Sequence, residues 1–213
     1  PVQRNAEPPI EAVPRAQCGP GSKPEPGMQG RLSAEDVASG AAEDGYWCNV
    51  TRVGQAGSTG GFKTLRYVDE AGRECAYYDT TLLFPTNTFN LSLAPTGVAV
   101  LDMSDPAKPV RTTTLVTPAM QTPHESVNIS VQRGLLAAVA GNPAFLPGQV
   151  DVYDISGDCR NPVLKTTAPV GFIGHESGMA PDGRTFYATS IGTGQTTPVD
   201  LTDPMVPKTL GVY

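Results

Sequence analysis

The chain has 213 residues and a formal net charge of −6, and 39% of its residues are hydrophobic. Its length suits one domain, or one domain with an appendage. The negative charge argues against nucleic acid and anionic membranes as partners, because both require a basic face. No apolar run approaches the ~18 residues of a membrane helix, so we expect no membrane span. The 23 Gly and 21 Pro favour short strands joined by turns over long helices.

Residues 1–44 are predicted to form an extended, mostly irregular arm. This stretch is rich in Pro, Gly, Glu and Ala and has little periodic apolar pattern. Ser33 is a suitable N-cap for one short helical turn within it. Because Pro1 is not the product of a start codon, we expect that a leader was removed before this numbering begins.

The four cysteines predict disulfides, since none of them forms a CxxC motif. Disulfides indicate an oxidising location, so we expect a secreted, periplasmic or cell-surface protein. Four cysteines allow three connectivities. We favour Cys48–Cys75, because both residues fall on strands placed in one sheet, and Cys18–Cys159 would then fix the arm to a turn. Free buried thiols are the alternative.

The region from Gly45 onward is predicted to consist of short β-strands. A β-prone segment at Tyr46–Val53 is followed by the Gly/Ser-rich loop Gly54–Gly61, and residues 81–96 are expected to be an insertion. In chain order, the other predicted strands are Phe62–Val68, Glu74–Thr80, Gly97–Asp105, Val110–Val116, His124–Ser130, Leu135–Gly141, Gln149–Ser156, Val163–Val170, His175–Met179, Thr185–Ile191, Thr197–Thr202 and Lys208–Tyr213.

One strand-and-turn segment occurs three times, aligned on Asp102, Asp154 and Asp200. A period of roughly 40 to 50 residues built from short strands is typical of a β-propeller blade. We therefore predict an all-β chain with about three blades, at residues 45–118, 119–170 and 171–213. Closed propellers need roughly four to eight blades, so either the chain is a fragment or a second chain completes the ring. We favour a fragment, because the chain ends within a predicted strand.

The segment Val98-Ala99-Val100-Leu101-Asp102-Met103-Ser104-Asp105-Pro106 resembles the LVIVD repeat of secreted and surface bacterial β-propellers. Val150–Val163 is similar, with a Gly-Asp-Cys departure in its turn, and Val199–Lys208 is a weaker match. The resemblance extends from about Gly45 to the end of the chain. It implies a bacterial, secreted repeat protein with a propeller fold, and it implies no catalytic residues.

The two His-Glu-Ser triplets begin at His124 and His175, the only histidines in the chain. In a propeller, the loop that enters each innermost strand lies beside the central channel. His124, Glu125, His175 and Glu176 are therefore predicted to gather at one opening. Imidazole and carboxylate groups there could bind a divalent metal or perform acid–base chemistry. The structural alternative is a hydrogen-bonded strut, similar to the Gly-His pair of WD-repeat blades.

Three Asn-x-Ser/Thr sequons occur, at Asn49, Asn90 and Asn128, and Asn90 is the exposed candidate for glycosylation. Chance occurrence is the alternative in a bacterial chain.

We consider three functional hypotheses. The first is a binding or interaction scaffold for a protein or another extracellular ligand, since propeller mouths are concave and lined by loops. The second is a metal-assisted hydrolase or lyase that uses the His/Glu residues. The third is a structural subunit of an extracellular assembly, which would co-purify with its partner.

Overall fold

The computed structural model describes residues 16–25, 32–57, 61–80, 96–190 and 192–213. The chain divides between Val53 and Gly54 into two compact units. Within the described residues, every named strand belongs to one of three four-stranded antiparallel sheets in the second unit, and the helices are short. The all-β prediction is therefore confirmed. No helix in this described part of the chain is long and apolar enough to span a membrane.

The N-terminal unit contains two short helices. Helix α1 (Ala34–Ala38) begins at Ser33, whose hydroxyl accepts a hydrogen bond from the Asp36 N–H at 3.0 Å, so the predicted cap is confirmed. Helix α2 (Ala41–Asp44) follows. The stretch expected to be irregular is thus partly helical.

The predicted strand Tyr46–Val53 is wrong, because only Trp47 pairs there, as an isolated bridge with Lys23. Gly45 and Asn49 on either side adopt positive φ angles of 78° and 59°, which an extended strand does not permit.

Both predicted disulfide pairings, Cys48–Cys75 and Cys18–Cys159, are wrong. Cys18 is bonded to Cys48, with 5.0 Å between their Cα atoms, and Cys75 is bonded to Cys159, with 6.0 Å. The prediction failed because Cys48 belongs to the N-terminal unit instead of lying beside Cys75 in a sheet. Cys75 instead faces a neighbouring sheet, whose turn carries Cys159.

Each sheet is built from four strands that are consecutive in the chain. The first sheet comprises β1 (Thr64–Val68), β2 (Glu74–Asp79), β3 (Val98–Asp102) and β4 (Val110–Leu115). The second comprises β5 (Asn128–Ser130), β6 (Leu135–Val139), β7 (Val150–Asp154) and β8 (Val163–Ala168). The third comprises β9 (Gly174–Met179), β10 (Thr185–Ser190), β11 (Thr196–Asp200) and β12 (Lys208–Thr209).

The three aligned aspartates occupy one place in the three sheets. Asp102, Asp154 and Asp200 each end the third strand of their sheet, and each accepts a hydrogen bond from the N–H two residues ahead. These side chains form the turns that end the strands. The sequence repeat therefore corresponds to a structural repeat.

One predicted strand begins differently. His124–Ser126 forms a 3-10 turn, and β5 starts only at Asn128. The reason is the positive φ of His124, 49°, which removes it from the extended region. The predicted insertion, apart from Thr96, and the sequon at Asn90 lie outside the described residues.

The second sheet is buried on both faces. Its strand β6 is buried throughout, which requires cover on both sides of the sheet. One cluster joins it to the first sheet and contains Tyr77, Val100 and Leu136, and another joins it to the third sheet and contains Val152 and Phe186. These two clusters hold the three sheets together by apolar burial.

Candidate functional site

The loop that carries His124 is held by a buried carboxylate. Asp151, fully buried on β7, accepts hydrogen bonds from the N–H groups of Ala119 and Met120 at 2.7 and 3.3 Å. These groups are at the start of helix α3 (Pro118–Gln121). The Thr167 hydroxyl donates a third hydrogen bond to Asp151 at 2.6 Å. Burial raises the pKa of Asp151, although these donors favour its charged form.

Ala140 and Gly141, the two residues after β6, hold the two His-Glu-Ser segments close to each other. The Gly141 N–H donates to the Thr122 carbonyl at 2.8 Å, close to His124, and the Gly174 N–H donates to the Ala140 carbonyl at 2.9 Å, next to His175. Gly141 also provides space, because a Cβ on it would lie 2.5 Å from Cδ2 of His124. The sequence therefore places both imidazoles at one end of β6.

The two histidine rings stack on each other. Their centroids are 4.7 Å apart and their planes differ by 12°. Phe62 approaches both rings edge-on, with centroid distances of 5.8 Å to His124 and 6.3 Å to His175. Together the three rings form a contiguous aromatic surface at the edge of the second and third sheets.

Glu125 contacts the second histidine. Its Oε2 lies 2.7 Å from Nδ1 of His175, and the His175 side chain remains 35% exposed. Glu125 Oε2 is buried and has no hydrogen-bond partner in the described residues, so this short contact is not aligned as a hydrogen bond. His175 and Glu125 thus form a close imidazole–carboxylate contact.

Glu176 points to a different partner. Its Oε1 accepts hydrogen bonds from Lys63 Nζ at 2.8 Å and from the Ser177 N–H at 3.1 Å. Burial acts to raise the pKa of Glu176, but these two donors outweigh it and lower the pKa below its usual value. At neutral pH the pair is an ion pair at the rim of the ring cluster.

His124 is the more enclosed imidazole. Burial, and after it the neighbouring His175, lower its pKa, and Glu125 opposes this only in part. Its Nδ1 is buried and has no hydrogen-bond partner within the described residues. The same holds for the nearby side-chain atoms Thr122 Oγ1 and Asn142 Nδ2. Such atoms can accept or donate hydrogen bonds to a polar ligand or to water.

The four predicted metal ligands do not form a metal-binding set. His124, Glu125 and His175 are brought together as predicted, but Glu176 is turned to Lys63. The two imidazoles stack with their centroids 4.7 Å apart, and Nδ1 of His175 faces Glu125. In the part of the chain that the structure describes, no group of three His, Cys, Asp or Glu side chains is arranged to hold a metal ion.

Sequence reasoning missed Phe62 and Lys63. Both residues follow the Gly/Ser-rich loop and precede β1, and their sequence context resembles only a flexible connection. Their contacts with His124, His175 and Glu176 link residues more than 60 positions apart in the chain. No local sequence signal encodes such a contact.

Comparison with known proteins gives a likeness at the level of the fold. No protein-family model matches the sequence. A search of curated proteins also finds no match. The chain is similar to solved structures titled "putative 6-phosphogluconolactonase" from Bacteroides uniformis ATCC 8492 and Bacteroides fragilis NCTC 9343, both at 10% identity. The TM-scores are 0.51 and 0.53, over 70% and 75% of this chain. The chain spans about two fifths of the length of those structures, covering 39% and 40% of them.

Proposed function

We propose that this chain is part of a secreted or cell-surface β-propeller that serves as a binding scaffold, with its three sheets as successive blades. Three features support the fold: the repeat of about 50 residues, the resemblance to LVIVD repeats, and the four consecutive antiparallel strands of each sheet. The two disulfides are consistent with an extracellular or periplasmic location.

The observation that carries the binding function is the gathering of both His-Glu-Ser triplets at one edge. The stacked rings of His124 and His175, with Phe62 beside them, provide a surface for a planar or apolar group of a ligand. Glu125 and the Lys63–Glu176 pair place charges around this surface. Such a combination of apolar contact and few polar groups is typical of small-ligand sites.

Histidine NMR tests this proposal, because the two imidazoles are the only ones in the chain. Ligand panels of sugars, short peptides and aromatic carboxylates would be added while the ring signals of His124 and His175 are recorded. We expect a bound ligand to shift both signals together, and Phe62→Ala to weaken its binding by about tenfold, since a ring contact contributes roughly 1 kcal/mol or more. Val131→Ala, at an exposed position in another turn, is the control. Tight binding that leaves both ring signals unchanged would contradict the proposal.

A second candidate function is hydrolysis or elimination by general acid–base catalysis. The Glu125–His175 contact of 2.7 Å favours it, because an imidazole beside a carboxylate is a common arrangement for a general base. The two similar structures are described as 6-phosphogluconolactonases, so lactones are the first compounds to assay. Turnover that is lost in His175→Gln and reduced in Glu125→Gln would favour this candidate. Binding without turnover would favour the scaffold.

A further inference from the structure

Each sheet has an arginine in the hairpin that joins its first and second strands: Arg73, Arg133 and Arg184. Arg73 donates to the carbonyl of Gly157, which lies in the turn after the third strand of the second sheet. Arg133 donates to the carbonyls of Leu201 at 2.6 Å and Thr202 at 3.0 Å, in the corresponding turn of the third sheet. Two of the three hairpin arginines therefore donate to carbonyls in the turn after the third strand of the next sheet in the chain. We call this contact the arginine clamp.

A tyrosine accompanies the first of these clamps. Tyr77 on β2 is fully buried between the first and second sheets, and its hydroxyl donates to the Cys159 carbonyl at 2.7 Å. Cys159 lies in the same turn that Arg73 reaches. This turn thus receives a guanidinium, a phenol hydroxyl and the disulfide from Cys75.

The third sheet repeats this arrangement on its outward face. In strand register, Cys75 pairs with the aligned aspartate Asp102, and Thr185 pairs with the aligned aspartate Asp200. Thr185 therefore corresponds to Cys75. Two residues further along each strand, Tyr187 corresponds to Tyr77. Tyr187 is 42% exposed. Neither the Tyr187 hydroxyl nor the Arg184 guanidinium has a hydrogen-bond or ion-pair partner in the described ranges. The third sheet thus has both donor groups of the arginine clamp, and neither has an acceptor among the described residues.

The opposite end of the set of sheets differs. The outward face of the first sheet carries a buried cluster that contains Tyr78, 8% exposed, and Leu101, 7% exposed. Ala56 of the chain itself packs against this cluster, and Gly54 lies directly against the backbone of Pro106 in the turn after β3. Residues of the chain itself thus pack on part of the outward face of the first sheet, whereas Tyr187 on the outward face of the third sheet is exposed.

We infer that the outward face of the third sheet docks a further four-stranded antiparallel sheet of the same kind, whose turn after its third strand accepts hydrogen bonds from Arg184 and Tyr187. The inference rests on the propeller interpretation of the proposed function and names the partner of its open face. A second copy of this chain is a poorer occupant, because Gly54 already lies against Pro106 and Ala107 in the turn of its first sheet that would have to accept these bonds.

The test uses the full chain extended by a copy of its own second sheet. Val110 pairs with Asp102 and Lys208 pairs with Asp200, so Tyr213 has the position of Leu115. A copy of residues 116–170 appended after Tyr213 therefore begins at the natural spacing. In the background Thr185→Cys, the introduced thiol should form a disulfide with Cys159 of the appended copy, as Cys75 does with the original Cys159.

We expect this cross-link in most molecules on air oxidation, and Arg184→Ala combined with Tyr187→Phe should slow its formation by about tenfold. Thr189→Cys, on the same strand, is the matched control and should not cross-link. Absence of the Thr185→Cys disulfide while the original Cys75–Cys159 bond forms would overturn the inference. So would a dimer of the unextended chain that Arg184→Ala dissociates, since a second copy would then occupy the face. If the Thr185→Cys cross-link does not form but a ligand shifts the NMR ring signals of His124 and His175, the docking inference is wrong and the proposed binding function is still supported.

Discussion

The two interfaces of the second sheet share apolar burial but differ in the bonds that accompany it. Toward the first sheet, the contact is fixed by directed bonds: the Cys75–Cys159 disulfide, the Tyr77 hydroxyl on the Cys159 carbonyl, and Arg73 on Gly157 and Asp158. Arg160 adds an ion-pair contact of 3.5 Å with Asp102 across the same boundary. These bonds set the position of the two sheets relative to each other.

Toward the third sheet, an apolar cluster is accompanied by hydrogen bonds, but by no disulfide in the described residues. The cluster there contains Leu135, Val139, Val152 and Phe186, and the clamp is one arginine, Arg133, on backbone carbonyls. The histidine pair spans this second boundary. The difference teaches that one face of the sheet is cross-linked covalently to its neighbour, and that the candidate site lies at the other face, where the described residues contain no such cross-link.

The largest effect on stability should come from the boundary between the first and second sheets, which carries the Cys75–Cys159 disulfide. The double substitution Cys75→Ala and Cys159→Ala should lower the free energy of unfolding of residues 54–213 by about 4 kcal/mol, because the bond closes a long loop. Urea denaturation followed by near-ultraviolet circular dichroism measures this loss. Cys18→Ala with Cys48→Ala is the control, since that bond lies within the N-terminal unit. An equal loss in the control would contradict the assignment of the first boundary to the Cys75–Cys159 bond.

Breaking the arginine clamp at the other boundary should cost less. Arg133→Met should lower the free energy of unfolding by about 2 kcal/mol, since it removes the donors to three carbonyls but keeps much of the apolar stem. Arg111→Met should cost less than about 0.5 kcal/mol, because Arg111 lies on an exposed part of β4 and its guanidinium bonds only Thr114 among the described residues. Denaturant midpoints of the two variants would be compared. Equal midpoints would show that Arg133 contributes nothing across the boundary.

A smaller effect should appear as a dependence of stability on pH. Because the pKa of His124 is lowered in the folded protein, the unfolded chain takes up its proton first as the pH falls below about 6.5. The resulting contribution is present above that pH and is lost as the pH decreases toward the folded-state pKa. We expect the free energy of unfolding to fall between pH 7.5 and 5.5 in the native protein, and to fall less in His124→Gln. Parallel curves for the two proteins would exclude this role for His124.

The smallest effect should follow from the rim ion pair. Glu176→Gln removes the charge that faces Lys63, but the Glu176 side chain is 58% exposed, so the loss should stay below about 0.5 kcal/mol. The loss should also diminish in 1 M salt, because exposed charges are screened. Thermal denaturation at low and high salt measures both. A large loss that does not depend on salt would place Glu176 in the structural core of the boundary.

The repeat made most of the fold predictable. Asp102, Asp154 and Asp200 mark turns whose chemistry is local, so their positions in the sequence predict where strands end. The disulfides were not predictable, because pairing depends on which sheets face each other. Cys48 looked like a strand residue, but positive φ angles at Gly45 and Asn49 exclude a strand there.

The candidate site was predictable only in part. The repetition of His-Glu-Ser suggested that His124 and His175 meet, and they do. The orientation of Glu176 toward Lys63 and the approach of Phe62 join residues more than 60 positions apart, and no periodic pattern in the sequence marks these contacts. The sequence also gave no sign that Arg184 and Tyr187 repeat a clamp, since the matching residues become visible only through strand register.

The central claim is that the two His-Glu-Ser triplets, about 50 residues apart, meet at one edge of neighbouring sheets. A nuclear Overhauser experiment on the imidazole protons tests it most directly. With ring centroids 4.7 Å apart, the account predicts a strong cross-peak between His124 and His175 and weaker peaks from each to the Phe62 ring. Well-resolved signals of both imidazoles without any cross-peak between them would contradict it.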